Sequence, residues 1–169
     1  MENELVALAR KTIETYVKER KKIAVPKELS AELMEKAGVF VSLHRNDQLR
    51  GCIGTFNPTT ENVAQEIINN AIESATNDPR FPALNIDELE GLEISVDVLS
   101  APEPVKSIKE LDAKKFGVIV KSGFQKGLLL PDLEGVNTPD EQIAICKRKA
   151  GISDDEPVEL FRFKVRRHE

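Results

Sequence analysis

Between Glu4 and Arg20, the residues Leu5, Leu8, Ala9, Thr12, Ile13, Tyr16 and Val17 recur at three- and four-residue intervals. That spacing predicts one buried face of an amphipathic helix. The run Lys18-Glu19-Arg20-Lys21-Lys22 closes it with cations, where the helix dipole favours them. Pro26 breaks the pattern, and Ser30 to Lys36 predicts a short helical turn before Gly38. The period then changes from helical to two. Val39, Val41 and Leu43 alternate with Phe40, Ser42 and His44, which predicts a strand. Asn46-Asp47 is a turn signal, and Leu49 to Phe56 is the returning strand of a hairpin. A two-residue turn would set Cys52 opposite Val41, and a three-residue loop would set it opposite Ser42. Either register puts Arg50, Cys52 and Gly54 on one strand face.

Asn57-Pro58-Thr59-Thr60 carries N-cap chemistry and leads into a helix from about 61 to 76 with a wide apolar face. Its face includes Val63, Ile67, Ala71 and Ser74 with Ala64, Ile68, Ile72 and Ala75. Asn77 to Pro82 stops it, because proline lacks an amide hydrogen and disfavours helix in the residue before it. Leu92 to Leu99 alternates as a half-exposed strand, with Ala101-Pro102-Glu103-Pro104 as a stiff exit. Segments 116–121 and 127–130 flank Ser122 to Lys126 as a second hairpin. Thr138 to Lys149 is a helix with Pro139 in its first turn and Gly151 beyond its end. Val158 to Val165 is the last strand. Hairpins interrupted by helices predict an α+β fold: one domain over 1–169, with an antiparallel-dominated sheet flanked by helices.

Composition agrees with a packed domain. The chain has 169 residues, 40% hydrophobic and 31% charged, with no Trp and only 5% aromatics, so its core must be mainly aliphatic. A net charge of −5 gives no global attraction to nucleic acid or anionic lipid. No apolar run approaches the ~20 residues of a membrane helix. The acidic start Met1-Glu2-Asn3-Glu4 does not read as a secretory signal. Two cysteines far apart in sequence predict reduced thiols and a cytoplasmic location.

The unusual chemistry is concentrated in Leu49-Arg50-Gly51-Cys52-Ile53-Gly54-Thr55. Glycine weakens strands, so two in four residues imply a bulge or the close approach of another group. A thiol lies between them and an arginine projects from the same face. An arginine beside a cysteine favours thiolate, the reactive form. Arg50 and Cys52 are therefore the candidate catalytic pair, either holding an anion or supplying a nucleophile. The competing expectation is a structural cysteine packed as a small apolar residue.

The motif Leu49 to Gly54 resembles the signature of the AMMECR family. The resemblance extends to Gly38-Val39-Phe40-Val41-Ser42-Leu43, Asp78-Pro79-Arg80-Phe81-Pro82, Leu92-Glu93-Ile94-Ser95-Val96, Gly127-Leu128-Leu129-Leu130-Pro131 and Lys149-Ala150-Gly151, and so to nearly the whole chain. One departure is the absence of the Trp-Asp that many members carry after Leu-Leu-Pro. The resemblance implies an α+β fold in a larger and a smaller lobe, with the motif near a cleft between them. It places Leu49, Gly51, Ile53, Gly54, Thr55, His44, Arg80 and Phe81 as ligand-binding candidates. It implies no established reaction and no known cofactor. Relatives encoded beside a Memo-type protein and a radical SAM enzyme make those two the expected partners, alongside a small-molecule ligand or another protein.

The remaining constellations are weaker. His44 could serve Cys52 as a base only within hydrogen-bond reach, and a turn histidine is the simpler expectation. His168 lies at a terminus expected to fray. No cysteine or histidine spacing suits a metal, and Asp154-Asp155-Glu156 is expected to be a solvated loop. Gly51-Cys52-Ile53-Gly54 matches the glycine clamp of KH domains only superficially, because it falls in a strand. Arg162, Lys164, Arg166 and Arg167 form a basic strand in an acidic chain, so nucleic acid is the least favoured partner. Cys146, beside Ile143 and Ala144 on a helix, is expected in the core.

Overall fold

The computed structural model describes Met1–Glu169 and divides into two compact units. The larger contains Met1–Leu99 with Arg166–Glu169, and the smaller contains Ser100–Val165.

In the larger unit, α1 (Glu4–Glu19) starts at Asn3, whose side chain accepts from the Leu5 N–H. A single helical turn, α2 (Ala31–Met34), is capped by Ser30. Then come β1 (Val39–Arg45), β2 (Gln48–Thr55), α3 (Val63–Thr76) and β3 (Glu93–Leu99), and β8 (Val165–His168) joins from the end of the chain. The four strands form one sheet in the order β2-β1-β3-β8, with β1 antiparallel to both neighbours. Val39, Val41 and Leu43 of β1 and Ile94, Val96 and Val98 of β3 turn one face into an aliphatic core shared with α1 and α3. No aromatic residue is buried there.

The smaller unit has β4 (Glu103–Val105), β5 (Gly117–Ser122), β6 (Gln125–Leu129), α4 (Pro139–Ala150) and β7 (Glu159–Phe163). Its sheet runs β4-β7-β5-β6, and Val118, Val120 and Leu129 pack with Cys146 in a second core. Helix α4 is capped by Thr138 and ends on Gly151 at φ 71°, as its flanking residues predict. Burial pushes the Cys146 thiol up to about 11, and this thiol is core, as expected.

The strands therefore make two sheets where the sequence predicted one. The segment expected as a single last strand is split at Lys164: β7 pairs within the smaller unit and β8 within the larger. The exit at Ala101–Pro104 includes edge strand β4, where a proline costs no ladder bond on its open side. His168 is in a strand and 3.2 Å from Glu32, not frayed.

On α3, three polar side chains are buried at four-residue intervals: Glu66, Asn70 and Ser74. Glu66 accepts from the Thr55 hydroxyl, from the Thr59 N–H and hydroxyl, and from the Thr60 N–H. Burial alone would raise its pKa, but the bonds from Thr55, Thr59 and Thr60 outweigh burial and hold it below the usual carboxylate range. A depressed folded-state pKa stabilises the fold above the unfolded value of about 4.3, and that contribution is lost as pH falls. We expect Glu66→Ala, which leaves the Thr59 and Thr60 amides without their acceptor, to cost about 2–3 kcal/mol in urea denaturation at pH 7. The cost should shrink at pH 3.

Candidate functional site

The β1–β2 turn has two residues, Asn46 and Asp47, both at positive φ (51° and 63°), the geometry that matches strand twist. His44 opposes Leu49, yet Leu43 opposes Gly51, so Arg50 is a bulged residue without a partner of its own. The bulge shifts the register by one. Cys52 thereby faces Ser42 despite the two-residue turn.

Neither motif glycine has positive φ. Each answers a close approach instead. A Cβ at Gly51 would strike the backbone carbonyl of Ser74, and one at Gly54 would strike the Phe40 ring. Helix α3 lies this close because its side chains complete the backbone of β2. The Ser74 hydroxyl donates to the Val41 carbonyl at 2.7 Å and accepts from the Ile53 N–H at 2.9 Å. Val41 and Ile53 are register partners, so the hydroxyl stands in for a ladder bond between them. Asn70 likewise donates to the Val39 carbonyl and the Thr55 hydroxyl. Asp78, one further four-residue step along, accepts from the Cys52 N–H at 3.0 Å, and Arg80 Nη2 donates to the Cys52 carbonyl at 3.3 Å. Those are the two bonds an additional strand would make to this edge.

Asp78 and Arg80 are themselves joined by Nε–Oδ1 (3.0 Å) and Nη2–Oδ2 (2.8 Å) bonds. The guanidinium of Arg80 foremost, with the Cys52 and Arg80 amides, holds the buried Asp78 carboxyl far below the usual range. Arg80 has 55% of its side chain exposed while Asp78 has 2%, so a buried anion orients a cation at the surface.

The Cys52 thiol is half-buried, and the group within hydrogen-bond reach of it is the Ser42 hydroxyl at 3.2 Å. Its pKa is raised. Burial is the largest cause, opposed by the Ser42 bond and by Arg80 and reinforced by the charges of Asp97 and Asp78. The expectation that Arg50 would hold Cys52 as thiolate is corrected. Arg50 is turned to Glu88, with Nε–Oε2 at 2.7 Å and Nη2–Oε1 at 3.0 Å, and the cation that acts on the thiol is Arg80. His44 stands on β1 opposite Leu49 and Glu93, one residue pair beyond Leu43 and two beyond Ser42, the partner of Cys52.

Among the other expected site residues, Phe81 lies between two guanidiniums, with its centroid 5.9 Å from Arg50 Cζ and 5.5 Å from Arg80 Cζ. Leu49 is exposed, Thr55 is tied to Glu66 and Asn70, and Ile53 is half-buried on the strand that Ser74 holds. Reasoning from sequence missed Ser42, Ser74, Asp78 and Glu88. The signal for two of them was the polar series Glu66, Asn70, Ser74, Asp78 at one helical face. Three of the four C-terminal cations are in ion pairs, Arg162 with Glu103, Arg166 with Glu32 and Glu35, and Arg167 with Asp97, while Lys164 lies over the Phe116 ring. Among His, Cys, Asp and Glu side chains, no group of three is placed to hold a metal ion.

Comparison with known proteins identifies the family to which this α+β chain belongs. The AMMECR1 family profile matches residues 6–168, and the chain belongs to that family. A Thermotoga maritima protein is 52% identical over 170 residues, covering 99% of this chain and 98% of the relative. A Clostridium acetobutylicum protein, CA_C1420, is 49% identical, and this chain spans 35% of its length. The crystal structure of an uncharacterized Pyrococcus horikoshii protein, PH0010, superposes with a TM-score of 0.87 at 36% identity, covering 96% of this chain and 88% of that one. No helix of the chain is long and apolar enough to cross a membrane.

The two glycines separate by what they meet. Gly51→Ala drives a methyl into a helix carbonyl that cannot move without breaking the Ser74 bonds, and should cost about 3 kcal/mol. Gly54→Ala meets the Phe40 ring at its Cγ, which moves only if the whole side chain swings about χ1, and should cost less than Gly51→Ala, about 2 kcal/mol. Chemical denaturation of both variants checks the order.

Proposed function

We propose that this AMMECR1-family chain is a binding domain, with the Leu49–Thr55 strand as a rigid platform and Cys52 as a protonated hydrogen-bonding group in its floor. The observation that carries this reading is the combination at Cys52: a half-exposed thiol of raised pKa whose N–H and C=O are both fixed, by Asp78 and Arg80. A nucleophile needs the thiolate and a base or cation that favours it. Here burial prevails over the one cation, and the neighbour of the thiol is a hydroxyl. A binding surface needs pre-organised donors instead, because ordering them beforehand lowers the entropic cost of capture. Arg80 gives that surface a cationic group acting on the thiol, Phe81 an aromatic one beside Arg80, and Leu49 an exposed apolar one further along the strand, with Gly51, Ile53, Gly54 and Thr55 as its backing.

Iodoacetamide alkylation as a function of pH tests the proposal. Cys52 should react slowly at pH 7, with an apparent pKa above the ~8.5 of a free thiol, and faster once the chain is unfolded in urea. Cys52→Ser should melt within about 2 °C of the parent, because the hydroxyl keeps the bond to Ser42. Fast alkylation of native Cys52 with an apparent pKa below 8 would overturn the binding reading and reinstate a nucleophile.

A further inference from the structure

Arg45 and Arg50 flank Glu88, Arg50 and Arg80 flank Phe81, and the donors of the three are unequally used. Arg50 spends Nε and Nη2 on Glu88, and Arg80 spends Nε and Nη2 on Asp78 and the Cys52 carbonyl. The Nη1 groups of both take no part in those bonds. Arg45 is different. Its Nη1 stops 3.9 Å from Glu88, beyond hydrogen-bond distance, and its Nε is buried with no acceptor at all. A buried donor without a protein partner is costly and calls for an explanation. The Arg45 side chain as a whole is 36% exposed, so a guest would meet its Nη groups and not the buried Nε. Arg45 also lies beside the bulge at Arg50, the feature that re-aims a strand side chain.

The charges point to the class of guest. Three guanidiniums touch two carboxylates, Glu88 and Asp78, so the cluster is cationic in a chain of net charge −5. A monocarboxylate offers one charge and two oxygens, and Glu88 already fills that role on Arg50. A phosphoryl group carries nearly two charges at pH 7 and three acceptor oxygens, enough to engage several guanidiniums together. Lysine would supply only point charges, whereas planar guanidiniums stacked on a ring present their donors in fixed directions.

We propose that Arg45 and Arg50 beside Glu88, with Arg80 across the Phe81 ring, form a recognition site for a phosphoryl dianion. It deepens the binding-platform reading, since the ligand of that platform would be held by its phosphoryl end. The same chemistry could come from free phosphate or from a phosphate monoester. Arg50 and Arg80 serve both the fold and the site, while no protein hydrogen bond depends on the Arg45 guanidinium.

The test therefore uses Arg45→Gln, with Lys114→Gln as a variant that removes one exposed positive charge in the other unit. Inorganic phosphate and glycerol 3-phosphate are titrated by ³¹P NMR and thermal melting at pH 7.5, against acetate and chloride at equal ionic strength. The parent and Lys114→Gln should bind phosphate alike and more tightly than acetate. Arg45→Gln should bind about tenfold more weakly with an unchanged melting temperature in the absence of phosphate. Stronger binding of glycerol 3-phosphate would assign a monoester, and stronger binding of inorganic phosphate the free anion. Stabilisation by phosphate no larger than by acetate, or equal losses in the two variants, would overturn the proposal. If phosphate fails while Cys52 keeps its raised pKa, only this site is lost. A thiolate at Cys52 would remove the platform reading whatever phosphate does.

Discussion

The bond from Ser74 to β2 constrains everything around it. A serine hydroxyl can stand in for a ladder bond between Val41 and Ile53 only if α3 presses its backbone against the strand. That approach permits no side chain at position 51. It also sets the next four-residue step of the helical spacing, so that Asp78, just past the helix end, meets the Cys52 amide. Asn70 and Glu66 repeat the device one and two turns earlier, on Val39, Thr55 and the loop at Thr59 and Thr60. Burial of such polar groups is tolerable because each finds partners, and a fully satisfied network is rigid.

That rigidity decides the electrostatics of the motif. Cys52 is placed among Asp78, Asp97 and Arg80 without freedom to turn from any of them, and burial outweighs the single cation. The arginine of the motif is drawn elsewhere, because the bulge puts Arg50 where Glu88 can engage it with both oxygens. Sharing a strand face was therefore a poor guide to which charge would act on the thiol. A charge two residues away on a pleated strand competes with any carboxylate that reaches it directly, and the bidentate pair wins by distance and geometry.

Most elements were legible because their signals are local. The helical period from Leu5 to Val17, the Asn-Asp turn, and the proline and glycine that bracket α4 each act within a few residues. The resemblance carried by Leu49–Gly54 and its flanking segments located the candidate site. Sequence could not separate one sheet from two, since strands split by Lys164 look continuous and pairing partners lie far apart. The register at Cys52 was open for a related reason: a bulge adds a residue that no turn signal announces. Ser74 was hidden in plain sight. It occupies an apolar stripe, where a small hydroxyl passes for a small core residue until its strand partners are known.

Arg80 shows why the chemistry gathers at this edge and not on the buried face of the sheet. An edge strand leaves N–H and C=O groups unpaired, and a protein must cover them or invite another strand. In the smaller unit, edge strand β6 is covered by Lys149 on the Leu128 carbonyl, while Gln125 at its first residue reaches back to Ala150 and Gly151, contacts that are exposed. On β2 the cover is an aspartate-arginine pair, and arginine has five donors in a plane. Two of its nitrogens satisfy Asp78 and the Cys52 carbonyl, and the third takes no part in those bonds, on a side chain that is held in place and 55% exposed. The group that closes the sheet is thus also the group that the proposed platform would present to a ligand.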